Sequence, residues 1–255
     1  MITNARCGLS VIPLRKEPSD RSEMTNQVIF GESMQVLQEM EKWFMVRLTH
    51  DAYEGWIDKK QIQLMDVESK ETAECITSLF EICTNAYSHR IVLPAGARVY
   101  NPDRKGFNLN GEHFLLENAS NLCKRVDDIL PIAFKFLGTP YLWGGRTFMG
   151  IDCSGFTQTI FNLAGKPIPR DAYQQADSGS AIAFVEEAKT GDLAFFDNTE
   201  GKITHVGIVI EDENGAKQII HASGEVRMDS LDHEGIFHRQ NKKYSHHLRL
   251  IKRIL

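Results

Sequence analysis

The chain has 255 residues, a formal net charge of −5 at pH 7 and a hydrophobic content of 42%. This length exceeds one typical domain, so we expect a catalytic domain with one or two smaller ones. The acidic balance, with no Lys/Arg-rich stretch, argues against nucleic acid or a membrane surface as a partner.

The first residues, MITNARC, have neither the apolar run of a signal peptide nor that of a membrane anchor. We therefore expect a cytoplasmic protein, with an exported form as the alternative. The five cysteines show no CxxC spacing, which argues against a disulfide framework or a zinc ribbon and favours a reducing compartment.

Short apolar runs separated by turns fill residues 8–65. The runs are LSVIPLR, NQVIFGE, MQVLQEM, WFMVRLT and YEGWIDKKQI. Several short strands at close spacing predict a small β barrel, which we assign to a first domain at 1–65.

Residues 66–124 combine two sequence patterns, one typical of a helix and one typical of short strands. The part from 66 to 86 is charged at first and then carries apolar residues at helical spacing, which predicts a connector with one helix. Residues 87–124 repeat the apolar entry, the central turn and the Gly-Glu pair of the first barrel. We predict a connector followed by a second, diverged copy of that module.

The third segment, 125–255, changes from helix to strand. Two aspartates precede ILPIAFKFLG, and Gly138 ends that predicted helix; a second helix begins near Asp152 and stops at Gly165. The strand-like runs that follow are GDLAFFD, THVGIVIED, QIIHAS and HHLRLIKRIL, with a hairpin turn at DENG. Helices followed by antiparallel strands predict an α+β domain.

Cys153 is the candidate nucleophile because it opens the second predicted helix. A helix N-terminus and a nearby imidazole both favour a thiolate, and Gly150 and Gly155 permit a tight turn and close approach of a substrate. The other reading, a buried structural cysteine, suits three residues in apolar contexts: Cys75, Cys83 and Cys123.

His205 and His221 lie on consecutive predicted strands. If these strands pair antiparallel, one imidazole can act as general base to the thiol while the other fixes its tautomer by a hydrogen bond. The alternative is a pair of core histidines, each satisfied by backbone groups.

Six motifs in order give the C-terminal segment a family resemblance. They are PYLWGG at 140–145, GIDCSGF at 150–156, IPRDA at 168–172, GDLAFF at 191–196, THVGIVI at 204–210 and IIHAS at 219–223. Together they resemble the NlpC/p60 family of papain-like cell-wall peptidases. The resemblance implies a papain-like α+β catalytic domain at 125–255, with Cys153 as nucleophile, His205 as base and His221 as the polar third member.

The upstream segment resembles bacterial SH3-like domains, so the implied fold has one or two small all-β barrels before the catalytic domain. Such domains accompany the subgroup that cleaves γ-D-glutamyl-L-diamino acid bonds in murein peptides with a free N-terminal L-Ala. The substrate-binding residues that this resemblance implies are Asp171, Tyr141, Asp152, Ser154, Tyr53, Glu23 and Trp143.

Several of these roles have a physical rationale and an alternative. Asp171 and Glu23 would pair with the substrate's ammonium group, which is costly to bury unpaired; Asp171 could instead be a turn residue beside Arg170. Tyr53 would form part of the wall of the site; the alternative is an aromatic residue of the barrel core. Trp143 would pack beside the cleft; the alternative is a residue buried for structural reasons. Ala172 stands where some relatives carry serine, which puts one hydrogen bond in doubt.

The implied reaction is acyl transfer through a thioester, with backbone N–H groups at the helix start as oxyanion donors. It requires neither metal nor cofactor, and no obligate protein partner is evident. Two alternatives remain: an amidase or acyltransferase that uses the same residues on another acyl group, and a wall-binding protein whose catalytic domain is inactive. Diaminopimelate and lysine are not distinguished at the leaving position.

Overall fold

A computed structural model describes residues 3–65, 72–118, 122–123, 125–238 and 241–254. The chain forms two compact units. The N-terminal unit comprises Met1–Asp127 and the segment Trp143–Phe148, and the C-terminal unit comprises Asp128–Leu142 and Met149–Leu255.

The N-terminal unit contains two seven-stranded antiparallel sheets. The first consists of β1 (Thr3–Arg6), β2 (Val11–Arg15), β3 (Met24–Ile29), β4 (Ser33–Glu39), β5 (Trp43–Leu48), β6 (Glu54–Asp58) and β7 (Gln63–Met65). The second consists of β8 (Ala73–Ile76), β9 (Phe80–Thr84), β10 (Arg90–Pro94), β11 (Arg98–Tyr100), β12 (Gly106–Leu109), β13 (Glu112–Leu116) and β14 (Leu122–Cys123). The short strand β15 (Arg146–Thr147) and a 3-10 turn at Lys59–Gln61 complete the unit.

Both sheets have the same strand order. The first runs β3-β2-β6-β5-β4-β1-β7 and the second β10-β9-β13-β12-β11-β8-β14, so each strand of one sheet has a counterpart seven strands later. Alternating side chains build each core: Ile12 and Leu14 of β2 are buried while their neighbours are half-exposed. The five runs predicted as strands in the first segment are confirmed as β2 to β6.

Phe30 joins the two sheets of the N-terminal unit. It follows β3, yet its ring packs edge-on against Phe107 and Phe114 of the second core, with centroid distances of 5.7 Å to each. The hydroxyl of Tyr100 donates to the Gly31 carbonyl at 2.8 Å. The two sheets therefore share buried aromatic surface within one unit.

The helix predicted within 66–86 is wrong where the structure describes that segment, because β8 and β9 occupy it. In β9 the buried residues Glu81 and Cys83 alternate with half-buried ones, which is the period of a strand. The Ser78 hydroxyl donates to the Phe80 carbonyl at 2.9 Å in the turn between the strands. Residues 66–71 lie outside the described residues.

Two of the cysteines assigned a structural role lie on these strands rather than on a helix. Cys83 is buried in β9 and Cys75 is half-buried in β8. The side chain of Cys123 lies outside the described residues.

The C-terminal unit combines three helices with a closed β barrel. Its elements are α1 (Leu130–Lys135), β16 (Gly150–Ile151), α2 (Cys153–Leu163), α3 (Ala172–Gln175), β17 (Ser180–Ile182), β18 (Leu193–Asp197), β19 (Ile203–Glu211), β20 (Lys217–Ser223), β21 (Glu225–Leu231), β22 (Gly235–His238) and β23 (Lys243–Arg253), with a 3-10 turn at Val185–Glu187. The order β23-β18-β19-β20-β21-β22 closes because β22 also pairs with β23. The two predicted helices and the predicted β19–β20 hairpin are confirmed.

All six strands of this barrel contribute side chains to one apolar core. Its members include Phe196, Val209, Ile219, Leu231, Ile236 and Ile251. The helix α2 packs against β19 and β20. Every described residue of α2 except Asn162 is buried, so the helix is almost fully enclosed.

Candidate active site

The first turn of α2 presents Cys153 at a helix N-terminus. Asp152 is the N-cap, and its Oδ1 accepts a hydrogen bond from the Gly155 amide at 2.7 Å. This capping bond satisfies one of the free N–H groups at the start of the helix and fixes where α2 begins. Cys153 is therefore the first helical residue, and it is 5% exposed.

The Cys153 thiol is neutral at rest, contrary to the thiolate that its position favours. Burial raises the pKa of the Cys153 thiol to about 12, and the neighbouring Asp152 carboxylate adds to this rise. Hydrogen bonding from the Val206 amide opposes the shift, as does the Arg170 guanidinium. Desolvation thus outweighs the favourable dipole of α2. A nucleophilic role for Cys153 would therefore require a base that removes this proton.

His205 and His221 are hydrogen-bonded to each other, with 2.8 Å between His205 Nε2 and His221 Nδ1. Both are buried, at 5% and 0% exposure. They share the inner face of the barrel, since His205 lies four residues from the core residue Val209 and His221 lies two from Ile219. Val206, whose amide bonds Cys153, follows His205 in the chain.

Gly207 makes the close approach of the two histidines possible. It lies directly across from His221 in the β19–β20 register. A Cβ at this position would lie 2.8 Å from the Cβ of His221 and 2.7 Å from two atoms of Ile219. A side chain here would force the two strands apart.

Asp229 continues the hydrogen-bonded series beyond the two histidines. Its Oδ2 lies 3.0 Å from His221 Nε2, and Arg227 Nε donates to the same oxygen at 2.8 Å. Ile219 faces Asp229 across β20 and β21, so Asp229 is diagonal to His221 on the same face. Asp229 is not among the site residues predicted from the sequence. Its only sequence signal is a polar residue at an inward position of β21, and that signal requires the strand register.

The protonation states of this series follow from burial and charge. Burial lowers the pKa of His205 well below its usual range, and His221 and His246 add to the effect. Burial also lowers the pKa of His221, against the opposing influence of Asp229. The hydrogen bonds from His221 and Arg227 hold the pKa of Asp229 below its usual range despite its burial. Both imidazoles are neutral at pH 7, and Asp229 is a carboxylate.

A cleft of about 280 Å³ opens beside His205. It is lined by Tyr141, Thr204, His205, Ala222, Ser223, Gly224 and His246. The His246 ring stacks on the His205 ring, with centroids 4.1 Å apart and planes inclined by 22°. His246 is not among the predicted site residues either, although the run HHLRLIKRIL that contains it was predicted as a strand.

Tyr141 lies close enough to Cys153 and Asp152 for both to act on its pKa. Burial raises the pKa of the Tyr141 hydroxyl, and Cys153 and Asp152 contribute to that rise. Asp152 forms a buried two-point ion pair with Arg170, at 3.0 and 2.7 Å. The Ser154 hydroxyl accepts from the same guanidinium at 2.9 Å. Arg170 therefore pairs with Asp152, and direct contacts of Asp152 and Ser154 with a substrate stay predictions.

Asp171 is the N-cap residue of α3 and is half-exposed. Its backbone amide lies 3.4 Å from Gln174 Oε1. Because Asp171 follows Arg170, the ion pair between Arg170 and Asp152 ties this part of the chain to the start of α2. Recognition of an ammonium group by Asp171 stays a prediction.

The remaining three candidates belong to the N-terminal unit. Glu23 accepts a hydrogen bond from the Trp143 indole at 2.8 Å, and Trp143 is 59% exposed. Tyr53 packs against the core of the first sheet. The pairing of Glu23 with Trp143 was not foreseen, and the roles of all three residues toward a substrate stay predictions.

Within the described parts of the chain, no three His, Cys, Asp or Glu side chains are grouped as metal ligands. No helix among the described residues has both the length and the apolarity to cross a membrane.

Comparison with known proteins identifies two modules in the sequence. Residues 138–245 match the profile of the NlpC/P60 family, and residues 14–62 match that of the bacterial dipeptidyl-peptidase Sh3 domain. The profile of the first family covers Cys153 and both histidines of the hydrogen-bonded pair.

Relatives and a solved structure match across both modules. A γ-D-glutamyl-L-lysine dipeptidyl-peptidase of Bacillus subtilis (strain 168) is 33% identical over 216 residues, which cover 77% of this chain and 71% of the relative. A protein of the same name from Bacillus cereus (strain ATCC 10987 / NRS 248) is 27% identical, with 77% and 67% covered. The crystal structure of an NlpC/P60 family protein from Bacillus cereus ATCC 10987 shares the fold, with a TM-score of 0.83 at 20% identity over 99% of both chains.

Proposed function

Since this chain belongs to the NlpC/P60 family of cysteine peptidases, we propose that it hydrolyses the γ-D-glutamyl-L-diamino acid bond of murein peptides. The family, the peptidase class and the fold, a papain-like domain after SH3-like β structure, are established by the matches. The choice of bond is supported by the names of the two Bacillus relatives. Those names specify lysine, and we extend the proposal to L-diamino acids.

The catalytic assignment rests on the 2.8 Å bond between His205 and His221. These residues lie on β19 and β20, the two strands against which α2 packs. Because His221 occupies Nε2 of His205, Nδ1 is the ring nitrogen that remains to accept the thiol proton of Cys153. Cys153 then attacks the γ-carbonyl of D-glutamate. The N–H groups at the start of α2, including that of Cys153, stabilise the oxyanion.

Two further steps complete the reaction. The diamino acid leaves with the proton held by the His205 imidazolium, and a thioester forms on Cys153. His205 then takes a proton from the water that attacks the thioester, and the acyl peptide leaves as a carboxylic acid that ionises in solvent. The imidazolium returns its proton to the Cys153 thiolate, which restores the resting thiol. The neutral resting thiol and imidazole are the correct starting forms for this proton transfer.

We further propose that the substrate carries a free N-terminal L-Ala. Asp171 supplies the carboxylate opposite its ammonium group, since an unpaired ammonium in a closed site costs several kcal/mol. The half-exposed position of Asp171 at the start of α3 leaves it accessible. Glu23, Tyr53 and Trp143 contribute further contacts, and Tyr141 lines the cleft beside the reacting sulfur.

In this proposal the enzyme recycles wall peptides in the cytoplasm. Peptides with a free L-Ala terminus arise when the murein peptide has been released from its glycan, so the amine requirement fits a recycling enzyme rather than one acting on intact wall. Comparing the chain in cytoplasmic and secreted fractions of its native cell tests this location.

A peptide panel tests substrate selection. We expect L-Ala-γ-D-Glu-L-Lys to be hydrolysed at least about 100-fold faster, in kcat/KM, than its N-acetylated form, because acetylation removes the charge that Asp171 pairs with. D171N should narrow this ratio to about tenfold or less. The matched control D177N changes a nearby exposed carboxylate and should preserve the ratio. Equal kcat/KM values of the wild-type enzyme on the free and the N-acetylated peptide would refute recognition of the amine.

A further inference from the structure

We infer that Asp229 is a positioning residue that fixes the tautomers of both histidines and thereby leaves Nδ1 of His205 free to act as the base. The inference rests on the proposed role of His205. It concerns a residue two hydrogen bonds away from His205, through His221.

The donors and acceptors of each group determine where the protons lie. Arg227 Nε is a donor only, and it donates to Asp229 Oδ2 at 2.8 Å. Its Nη1 also donates to the Ser223 carbonyl at 2.6 Å, which holds the guanidinium in place. An ionised carboxylate accepts only, and the Arg227 contact keeps Asp229 ionised. The 3.0 Å contact with His221 Nε2 therefore requires the proton on that nitrogen.

The proton on His221 determines the state of His205. A neutral imidazole carries one N–H, so a proton on His221 Nε2 leaves a lone pair on its Nδ1. His205 Nε2 must then donate across the 2.8 Å contact to that lone pair. The single proton of neutral His205 is thus on Nε2, and its Nδ1 is a free acceptor.

The opposite arrangement would block the proposed chemistry. If His221 carried its proton on Nδ1, it would donate to His205 Nε2, and the proton of His205 would move to Nδ1. That nitrogen could not accept the thiol proton. The Asp229 carboxylate excludes this arrangement because Nε2 of His221 would then oppose it as a second acceptor.

The same tautomers are compatible with the His205 imidazolium that forms during the reaction. When His205 takes the thiol proton, its Nε2–H still donates to His221 Nδ1, so no second proton needs to move. The buried carboxylate at the end of the series stabilises the positive charge electrostatically while remaining ionised, as the aspartate of a serine protease triad does. We therefore expect Asp229 to affect kcat more than KM.

The direct test is the tautomer of His221 in the wild-type protein, measured by two-bond 1H–15N correlation at pH 7. We expect the proton on Nε2 and an unprotonated Nδ1. A proton on Nδ1 of His221 would overturn the inference, whatever the activity of any variant. This measurement does not depend on a variant folding.

Substitutions then test the consequence. D229A removes the acceptor, and we expect kcat to fall by about 10- to 100-fold with KM within about twofold, together with a mixture of His221 tautomers. D229N retains an amide oxygen that can accept from both partners, so it should keep the Nε2–H tautomer and lose less activity. A slow D229A enzyme with unchanged tautomers would contradict the inference.

D192A is the matched control. Asp192 is a buried carboxylate of the same unit that binds Arg253 at 2.8 and 2.7 Å, and its side chain bonds to no histidine among the described residues. Its loss leaves an arginine unpaired just as D229A does, but the tautomers and kcat should not change. If C153A retained full activity, the proposed nucleophile would fail, while the tautomer measurement on wild-type protein would still decide the role of Asp229.

Discussion

Burial holds both Cys153 and His205, the proposed nucleophile and the proposed base, away from their charged forms. The pKa of the thiol is raised to about 12 and that of the imidazole is lowered. Transfer of the proton therefore creates two buried charges whose mutual attraction offsets part of their desolvation. In the proposed mechanism the amides at the start of α2 stabilise the oxyanion, and the Asp229 carboxylate, bonded to His221, stabilises the imidazolium.

The buried histidines also predict how stability depends on pH. Burial lowers the pKa of His205, His221 and His246, the last to about 4. A histidine with a depressed pKa binds protons more weakly than it does in the unfolded chain. Its contribution to stability is therefore present above pH 6.5 and lost as the pH falls toward its folded-state value.

Denaturant titrations between pH 7 and pH 4 measure this effect. The wild-type free energy of unfolding should fall over this range. H246F keeps a ring against His205 but cannot titrate, so its decline should be smaller by on the order of 1 kcal/mol, a figure already reduced for the partial exposure of His246. The control H247F changes the exposed neighbouring residue. Identical declines in H246F and wild type would show that His246 is not responsible.

At the scale of elements, the site depends on how closely β19 and β20 approach each other at Gly207. The strands carry His205 and His221 in positions that are diagonal across the ladder, and no side chain separates them. The third strand, β21, adds Asp229 by the same two-residue offset. Three neighbouring strands thus produce a linear series of hydrogen bonds from ordinary antiparallel pairing.

G207A should separate the two histidines. The added Cβ meets the Cβ of His221 at 2.8 Å, so β20 must move, and we expect a loss of about 1–3 kcal/mol in stability and at least tenfold in kcat. The control G8A places a Cβ 3.4 Å from the flexible end of Gln63 and should have little effect on kcat. A fully active G207A enzyme would mean that the spacing of these strands is not critical.

The sequence predicts elements well where local signals are strong. Asp152 as cap and Gly165 as stop bound α2 correctly, since Gly165 adopts a φ of +72° just after the helix. The helix predicted in 66–86 is wrong because the apolar residues of a short segment such as β9 fit the period of a helix as well as that of a strand. Asp229 and His246 were missed for a different reason. Their nearness to His205 follows from the strand pairings across a closed barrel, which no local pattern contains.

At the scale of the whole molecule, each unit encloses its own apolar cores. The N-terminal unit has two sheets of identical strand order, and the C-terminal unit surrounds one core with six strands. The predicted domain boundaries at 65 and 124 stay predictions. The composition of the chain indicated enough apolar residues for a core, whereas the motifs around Cys153 indicated its chemistry.

The reactivity of one sulfur is the central claim, and C153A tests it most directly. Initial rates of hydrolysis of L-Ala-γ-D-Glu-L-Lys should fall by at least about 1,000-fold in C153A, with the near-ultraviolet circular dichroism of the folded enzyme retained. C83A removes another buried thiol and should keep the wild-type rate within about twofold. Wild-type turnover by folded C153A would contradict the account.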